Sequence, residues 1–359
     1  MEFDLIHRYF KTPFGKLAQA NPGTVLCGIG DDCASLALSP AHHMFTSTDT
    51  LVEGVHFFSD SSPRHVGWKS LACNLSDLAA CGASPIGFTL NLSLPDVNES
   101  WLTGFSTGLL EVATRFNCPL VGGDTTSAGS SSLKTLSITV FGQAPATHRG
   151  FNRAHAMPGE DIWVSGTPGL ARLGLLLEYQ RRGRLAQCSR GIQLKHVQGL
   201  LAALPEHLAR QAIERLEMPT PRIELGLQLR GVAGACLDLS DGLSGDLAHI
   251  ANASNTAALL FEASLESMWR ILWPEVDHCP DPARLLKTLL AETLLGGDDF
   301  ELCWTAHPKY REVIQSLSPN LYRVGAVESG NGVWLRASGK EQRTRISGLS
   351  YNHFSEGKN

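Results

Sequence analysis

Five stretches of this chain repeat one pattern: an apolar run, then glycine, serine or threonine, then aspartate. They are GIGDD at 28–32, TSTDT at 46–50, LVGGDTT at 120–126, CLDLSDG at 236–242 and LLGGDDFE at 294–301. Short apolar runs that stop at Gly and Asp read as strands entering turns. Helical patterns lie between them, so the chain reads as a mixed α/β protein. Strands are expected over 25–29, 44–48, 86–94, 119–121 and 136–141. A helix is expected over 62–81, with Ser62 as its cap, Pro63 in its first turn and Gly82 just past its end. Val66, Leu71, Leu75 and Leu78 form its apolar stripe, and Ser70, Asn74 and Asp77 share a polar face. A second helix is expected over 98–116.

The segment 142–160, GQAPATHRGFNRAHAMPGE, is rich in Gly, Pro and Ala and reads as a linker. It divides the chain into an N-terminal domain, 1–150, and a C-terminal domain, 151–359. The length of 359 residues favours two domains over one. In the second half, DIWVSG opens as a strand and a helix-rich stretch follows to about residue 230. A helix is expected over 243–251, and strands over 258–262, 322–327 and 333–336.

Only 18% of the residues are charged and the net charge is −5. That balance argues against nucleic acid as a partner, which calls for a basic face. No apolar run approaches the ~20 residues of a membrane span. The nine cysteines form no C-x-x-C pair, which fits reduced thiols in a cytoplasmic protein.

Five acidic turns in a chain so sparing of charge call for a common cause. Clustered carboxylates repel and raise one another's pKa. Divalent cations remove the conflict, and carboxylate, hydroxyl and carbonyl oxygens suit Mg2+, whose shell substrate phosphates usually complete. Glycines let the backbone come close to such phosphates. The chain has no complete P-loop, no protein-kinase catalytic loop and no Rossmann glycine fingerprint. A nucleotide would therefore bind through metal bridges.

The stretches GIGDDCA, TSTDTLVEGVHF, NLSDLAACGASP, LVGGDTT, LDLSDGLSGDL, GGDDFELCW and SYNHF occur in the order found in one family. On them the chain resembles the thiamine-monophosphate kinases, which belong with aminoimidazole ribonucleotide synthetase. The resemblance implies a two-domain α/β fold whose N-terminal strands build a barrel shared by a homodimer. It implies transfer of the ATP γ-phosphoryl to thiamine monophosphate, giving thiamine diphosphate, with several Mg2+ ions. By resemblance Asp32, Thr48, Asp49, Asp77, Asp124, Asp238 and Asp241 are metal positions, with Asp31 and Ser47 beside them. Gly123, Asp124, Arg153 and Ser240 match ATP contacts. Ser106 stands where the family carries an aromatic residue next to the nucleotide. His56, Asp298 and Tyr351 match contacts to the thiamine phosphate, Asp298 often being Glu in the family.

The acceptor is a phosphate monoester whose second pKa is about 6, so near neutrality it is already a dianion. No general base and no covalent nucleophile is expected; the task is to position two anions and neutralise them. The rival readings are another ATP-using enzyme of the superfamily, a metal phosphohydrolase, and an inactive nucleotide-binding regulator.

Overall fold

The structure is a computed structural model and describes residues 2–30, 32–188 and 192–346. The chain forms two compact units. One is Met1–Gly150 with Glu217–Leu227, and the other is Phe151–Leu216 with the chain from Gln228 onward. The excursion Glu217–Leu227 differs from the continuous second domain expected from sequence. It is tied to the first unit by tertiary contacts alone. Trp68 Nε1 donates to the Pro219 carbonyl at 2.7 Å, and His65 Nδ1 lies 2.7 Å from Glu217 Oε2. Gly226 sits so close that a Cβ would lie 2.2 Å from the Ala79 carbonyl oxygen.

In the first unit a small antiparallel pair, β1 (Val25–Cys27) and β2 (Ser35–Leu36), flanks the GIGDD loop. A four-stranded sheet follows, built from β3 (His42–Val52), β4 (Ser84–Leu94), β5 (Leu120–Ser127) and β6 (Thr135–Pro145), in the order β3-β6-β4-β5. β4 and β5 are parallel. Parallel neighbours need a crossover, and the helix Glu99–Arg115 supplies it. β6 runs on through Gly142, which the sequence had placed in a linker. That glycine marks close packing: a Cβ there would lie 2.8 Å from Leu78 Cδ2 of the helix Pro63–Ala80.

The Pro63–Ala80 helix keeps its expected limits within a residue, but Ser62 makes no side-chain capping bond. Its end is a Schellman turn. Gly82 takes φ +63°, its N–H reaches the Ala79 carbonyl, and the Ala83 N–H reaches that of Leu78. Most of the polar face is buried along with the apolar stripe: Ser70 and Asn74 are inside and Asp77 is half-buried. Gly67 and Gly108 let this helix and Glu99–Arg115 touch backbone to backbone. A Cβ would lie 2.0 Å from the Phe105 oxygen at the first and 1.8 Å from the Arg64 oxygen at the second.

Among the described residues the second unit carries seven strands: β7 (Asp161–Ser165), β8 (Ala233–Asp238), β9 (Thr256–Phe261), β10 (Leu302–Ala306), β11 (Leu321–Ser329), β12 (Gly332–Arg336) and β13 (Arg343–Arg345). Their order is β13-β12-β9-β11-β7-β10-β8, with β12 and β9 parallel. Ile162, Val164, Leu237, Leu260, Trp269 and Leu289 belong to its core. The helix Leu243–Ser254 follows β8 and stops at Asn255, which takes φ +52°. Among the elements that went unassigned in the sequence are the N-terminal helical run from Glu2 and the helices Glu262–Leu272 and Pro282–Leu295. No helix among the described residues is long and apolar enough to cross a membrane.

Candidate functional site

The first unit builds its acidic patch where β3 meets the Pro63–Ala80 helix. Side chains alternate along a strand. Ser47 and Asp49 face the helix and are half-buried, while Thr46, Thr48 and Thr50 are exposed on the other face. Ser47 Oγ donates to Asp77 Oδ2 at 2.5 Å. The Asp49 N–H is held by Asn74 Oδ1 at 3.1 Å, and Asn74 in turn donates to the Ser70 carbonyl. Burial pushes the Asp49 carboxyl up to about 6, and the charge of Asp77 adds to the shift. The two carboxylates thus sit in the conflict that a cation resolves.

Thr48 is set apart from Asp49. Its hydroxyl pairs with Thr139 Oγ1 across the sheet and reaches the Ile138 carbonyl at 3.2 Å. The pleat places adjacent residues on opposite faces, so the Thr48 hydroxyl cannot share an ion with the Asp49 carboxylate. Asp124 is exposed on β5, opposite Asn91 of β4, and its Oδ1 accepts the Thr125 N–H. Gly123 before it takes φ +148°, and a Cβ would lie 1.9 Å from the Leu90 oxygen. Only glycine allows that approach. Asp32 is exposed in the loop between β1 and β2. Asp31 and Tyr351 lie outside the described residues.

His56 sits in the tight VEGVHF turn. Its Nδ1 accepts the Val52 N–H at 3.0 Å, and its own N–H returns to the Val52 carbonyl. An accepting Nδ1 places the proton of the neutral ring on Nε2. The turn is tied down by buried Glu53, whose Oε2 accepts from both the N–H and the Nζ of Lys134. Ser106 is buried in the Glu99–Arg115 helix and donates to the Thr103 carbonyl.

In the second unit two loops run side by side. The Leu239 N–H reaches the Glu301 carbonyl, the Phe300 N–H that of Leu239, and the Asp298 N–H that of Ser240. A Cβ on Gly297 would lie 2.0 Å from the Ser240 oxygen, so GGDD must start with glycines to pass this close. Asp238 ends β8, Ser240 is exposed and Asp241 half-buried. Asp298 is held at φ +66°, a conformation that non-glycine residues adopt rarely and often at functional sites. Arg153 is exposed in the turn Arg153–His155, with its carbonyl bonded to Ser254 Oγ.

Three acids here do work the sequence did not reveal. Asp299 is 1% exposed and accepts the Gly169 and Ala171 N–H groups at 2.6 and 3.0 Å. It terminates the helix Leu170–Arg181 from a distant loop. Glu301 is buried between Ser165 and Arg215. Asp246 gathers three main-chain N–H groups, from Ser240, Asp241 and Gly242. Burial pushes both Asp246 and Asp299 up to about 7 against the pull of those donors. Asp246 and Asp299 lie in quoted motifs, but nothing in the sequence separates a carboxylate that binds backbone from one left to bind a ligand.

Among the described residues no three His, Cys, Asp or Glu groups converge on one metal position. The acids meet in pairs instead: Asp49 with Asp77 in the first unit, Asp241 with Asp246 in the second. A shell built from so few protein oxygens suits Mg2+, which keeps waters and substrate oxygens as its other ligands.

The family model described as AIR synthase related protein, N-terminal domain, matches residues 30–144. The chain is 38% identical over 309 residues to the thiamine-monophosphate kinase of Salmonella typhimurium, covering 85% of this chain and 82% of that protein. It superposes on the thiamine-monophosphate kinase of Stenotrophomonas maltophilia with a TM-score of 0.71 at 37% identity, covering 91% and 95% of the two chains. A structure described as "AaThiL complexed with AMPPCP and TMP" gives a TM-score of 0.65 at 25% identity, covering 94% and 95%. The mixed α/β fold is that of the AIR synthase-related proteins. The chain belongs to the thiamine-monophosphate kinase family.

Proposed function

We propose that this enzyme transfers the γ-phosphoryl group of ATP directly to thiamine monophosphate, producing thiamine diphosphate and ADP. The observation that carries the reading is the Asp49–Asp77 pair, half-buried and bridged to Ser47, in a member of this family. The relative whose structure is described as complexed with AMPPCP and TMP supports an ATP-like and a TMP ligand.

In the first unit Asp32, Ser47, Asp49, Asp77 and Asp124 would hold Mg2+, together with Thr48 through its main chain. In the second, Asp238 and Asp241 would do so. When bound, the cations neutralise phosphate oxygens and the charge that builds up during transfer. Gly123 lets the nucleotide phosphates approach the backbone of β5, and Arg153 and Ser240 add polar contacts to ATP. Ser106 lines the nucleotide without stacking on it, since a hydroxyl replaces a ring. Asp298, held in its strained turn, and His56 and Tyr351 bind thiamine monophosphate.

His56 is oriented as a donor. Its Nδ1 lone pair is engaged by Val52, so the neutral ring carries its proton on Nε2. That suits binding, and it is the wrong tautomer for removing a proton through Nε2. The acceptor phosphate, a dianion above about pH 6, needs no base.

The same reading includes a cytoplasmic homodimer. One face of the four-stranded sheet turns Thr46, Thr48 and Thr50 outward, and exposed Met44 continues the row. A second copy of this sheet would cover that face and close a barrel. Nine cysteines, none of them in a disulfide among the described residues, fit a reducing compartment.

The test is incubation of purified protein with Mg-ATP and thiamine monophosphate, followed by chromatography. One thiamine diphosphate per ADP is expected. Inorganic phosphate released without thiamine diphosphate would replace the reading with a phosphohydrolase. No turnover of ATP would leave a regulator.

A further inference from the structure

The start of the Leu243–Ser254 helix is already occupied by the chain itself. The first N–H groups of a helix lack intrahelical partners and ordinarily attract anions. Here the N–H groups of Ser240, Asp241 and Gly242 all point at one oxygen, Asp246 Oδ2, at 3.0, 3.0 and 3.2 Å. Asp246 is 4% exposed and its own N–H returns to the Gly242 carbonyl. With three donors on one oxygen, the main-chain N–H groups of this turn are committed to Asp246. The other side of the turn is fixed too. The Ser240 carbonyl accepts the Asp298 N–H, and Gly242 and Gly297 press backbone on backbone.

We propose that Asp246 is a positioning residue. It locks the Ser240–Gly242 turn, so that Asp238 and Asp241 are presented to a divalent cation. The consequence is a division of labour within the turn. Its main-chain donors serve the internal carboxylate, and an anionic ligand at this turn is reached through the cation. The inference rests on the proposed phosphotransfer only for the identity of that anion. The cation itself can be tested without turnover.

Two variants test it, Asp246→Asn and Asp246→Ala, each checked for folding by circular dichroism. Asparagine keeps one carbonyl oxygen for the turn; alanine keeps none. The half-saturating Mg2+ concentration for activity is expected to rise about 10-fold in D246N and about 100-fold in D246A, the scale of losing a group that orients metal ligands. KM for thiamine monophosphate at saturating Mg2+ should move less than about 3-fold, whereas a general loss of structure would move both. In parallel, the rise in Tm on adding Mg2+ alone is expected in the wild type and should shrink in D246N. If D246A does not fold, D246N decides. Wild-type Mg2+ half-saturation together with a wild-type Mg2+-induced Tm rise in folded D246N overturns the proposal. So does a wild type whose Tm ignores Mg2+. A wild type that makes no thiamine diphosphate, but whose Mg2+-induced Tm rise is lost in D246N, overturns the proposed function and leaves the role of Asp246 standing.

Discussion

The two units use the same residue type in opposite ways. In the first, carboxylates face each other: Asp49 and Asp77 share a half-buried corner, steadied by the side chains of Ser47 and Asn74. In the second, two buried carboxylates face main chain: Asp246 and Asp299 collect five N–H donors between them. The first unit stores an electrostatic conflict for a ligand to relieve. The second satisfies these two carboxylates with hydrogen bonds. An aspartate beside glycine is therefore ambiguous until its donors are known.

The contrast predicts different failures. The largest effect is expected for Asp77→Asn, which should fold yet lose at least about 3 kcal/mol of transition-state stabilisation, the scale of one key electrostatic element. Steady-state kcat/KM at saturating Mg2+ measures it, and near-normal turnover would remove Asp77 from the site.

A second effect concerns pH and stability without metal. Asp49 has an ordinary value of 3.8 and a folded value of about 6. Between those limits the native state binds more protons than the unfolded state, so stability from this group falls as pH rises. A shift of this size corresponds to at most about 3 kcal/mol. Asp246 and Asp299 slope the same way up to about pH 7, so the comparison is between proteins. Urea unfolding in EDTA at about pH 4.5 and about pH 8 should show a smaller loss on going to high pH in Asp49→Asn than in the wild type. An identical loss in both would mean that Asp49 carries no such strain.

Asp299→Ala should behave in the opposite way to Asp77→Asn. It strands two buried N–H groups at the start of the Leu170–Arg181 helix, at a cost of about 2 kcal/mol. Denaturant midpoints should fall, while kcat of the protein that remains folded stays within a few-fold. A fall in kcat without a fall in stability would move Asp299 from the scaffold to the site.

The smallest effect is expected for His56→Asn. KM for thiamine monophosphate should rise about 10-fold, or about 1.4 kcal/mol. The acidic limb of kcat/KM should stay near pH 6, where the substrate itself protonates. If the limb vanishes and single-turnover transfer slows about 100-fold, His56 is a general base and the base-free mechanism fails.

The sequence by itself determined the alternation of strands and helices, the acidic strand ends and the family, because periodicity and ordered motifs are local. It placed the Pro63–Ala80 helix correctly, since hydrophobic period and glycine stops act within one element. Only the tertiary structure decided three other things. Gly142 belongs to a strand because Leu78 lies against it. Glu217–Leu227 belongs to the first unit because Trp68 and His65 hold it there. Asp246 and Asp299 are framework, because burial and donors arrive from chain neighbours or from segments more than a hundred residues away. A carboxylate's role follows from what surrounds it, and those surroundings are assembled only when distant segments pack.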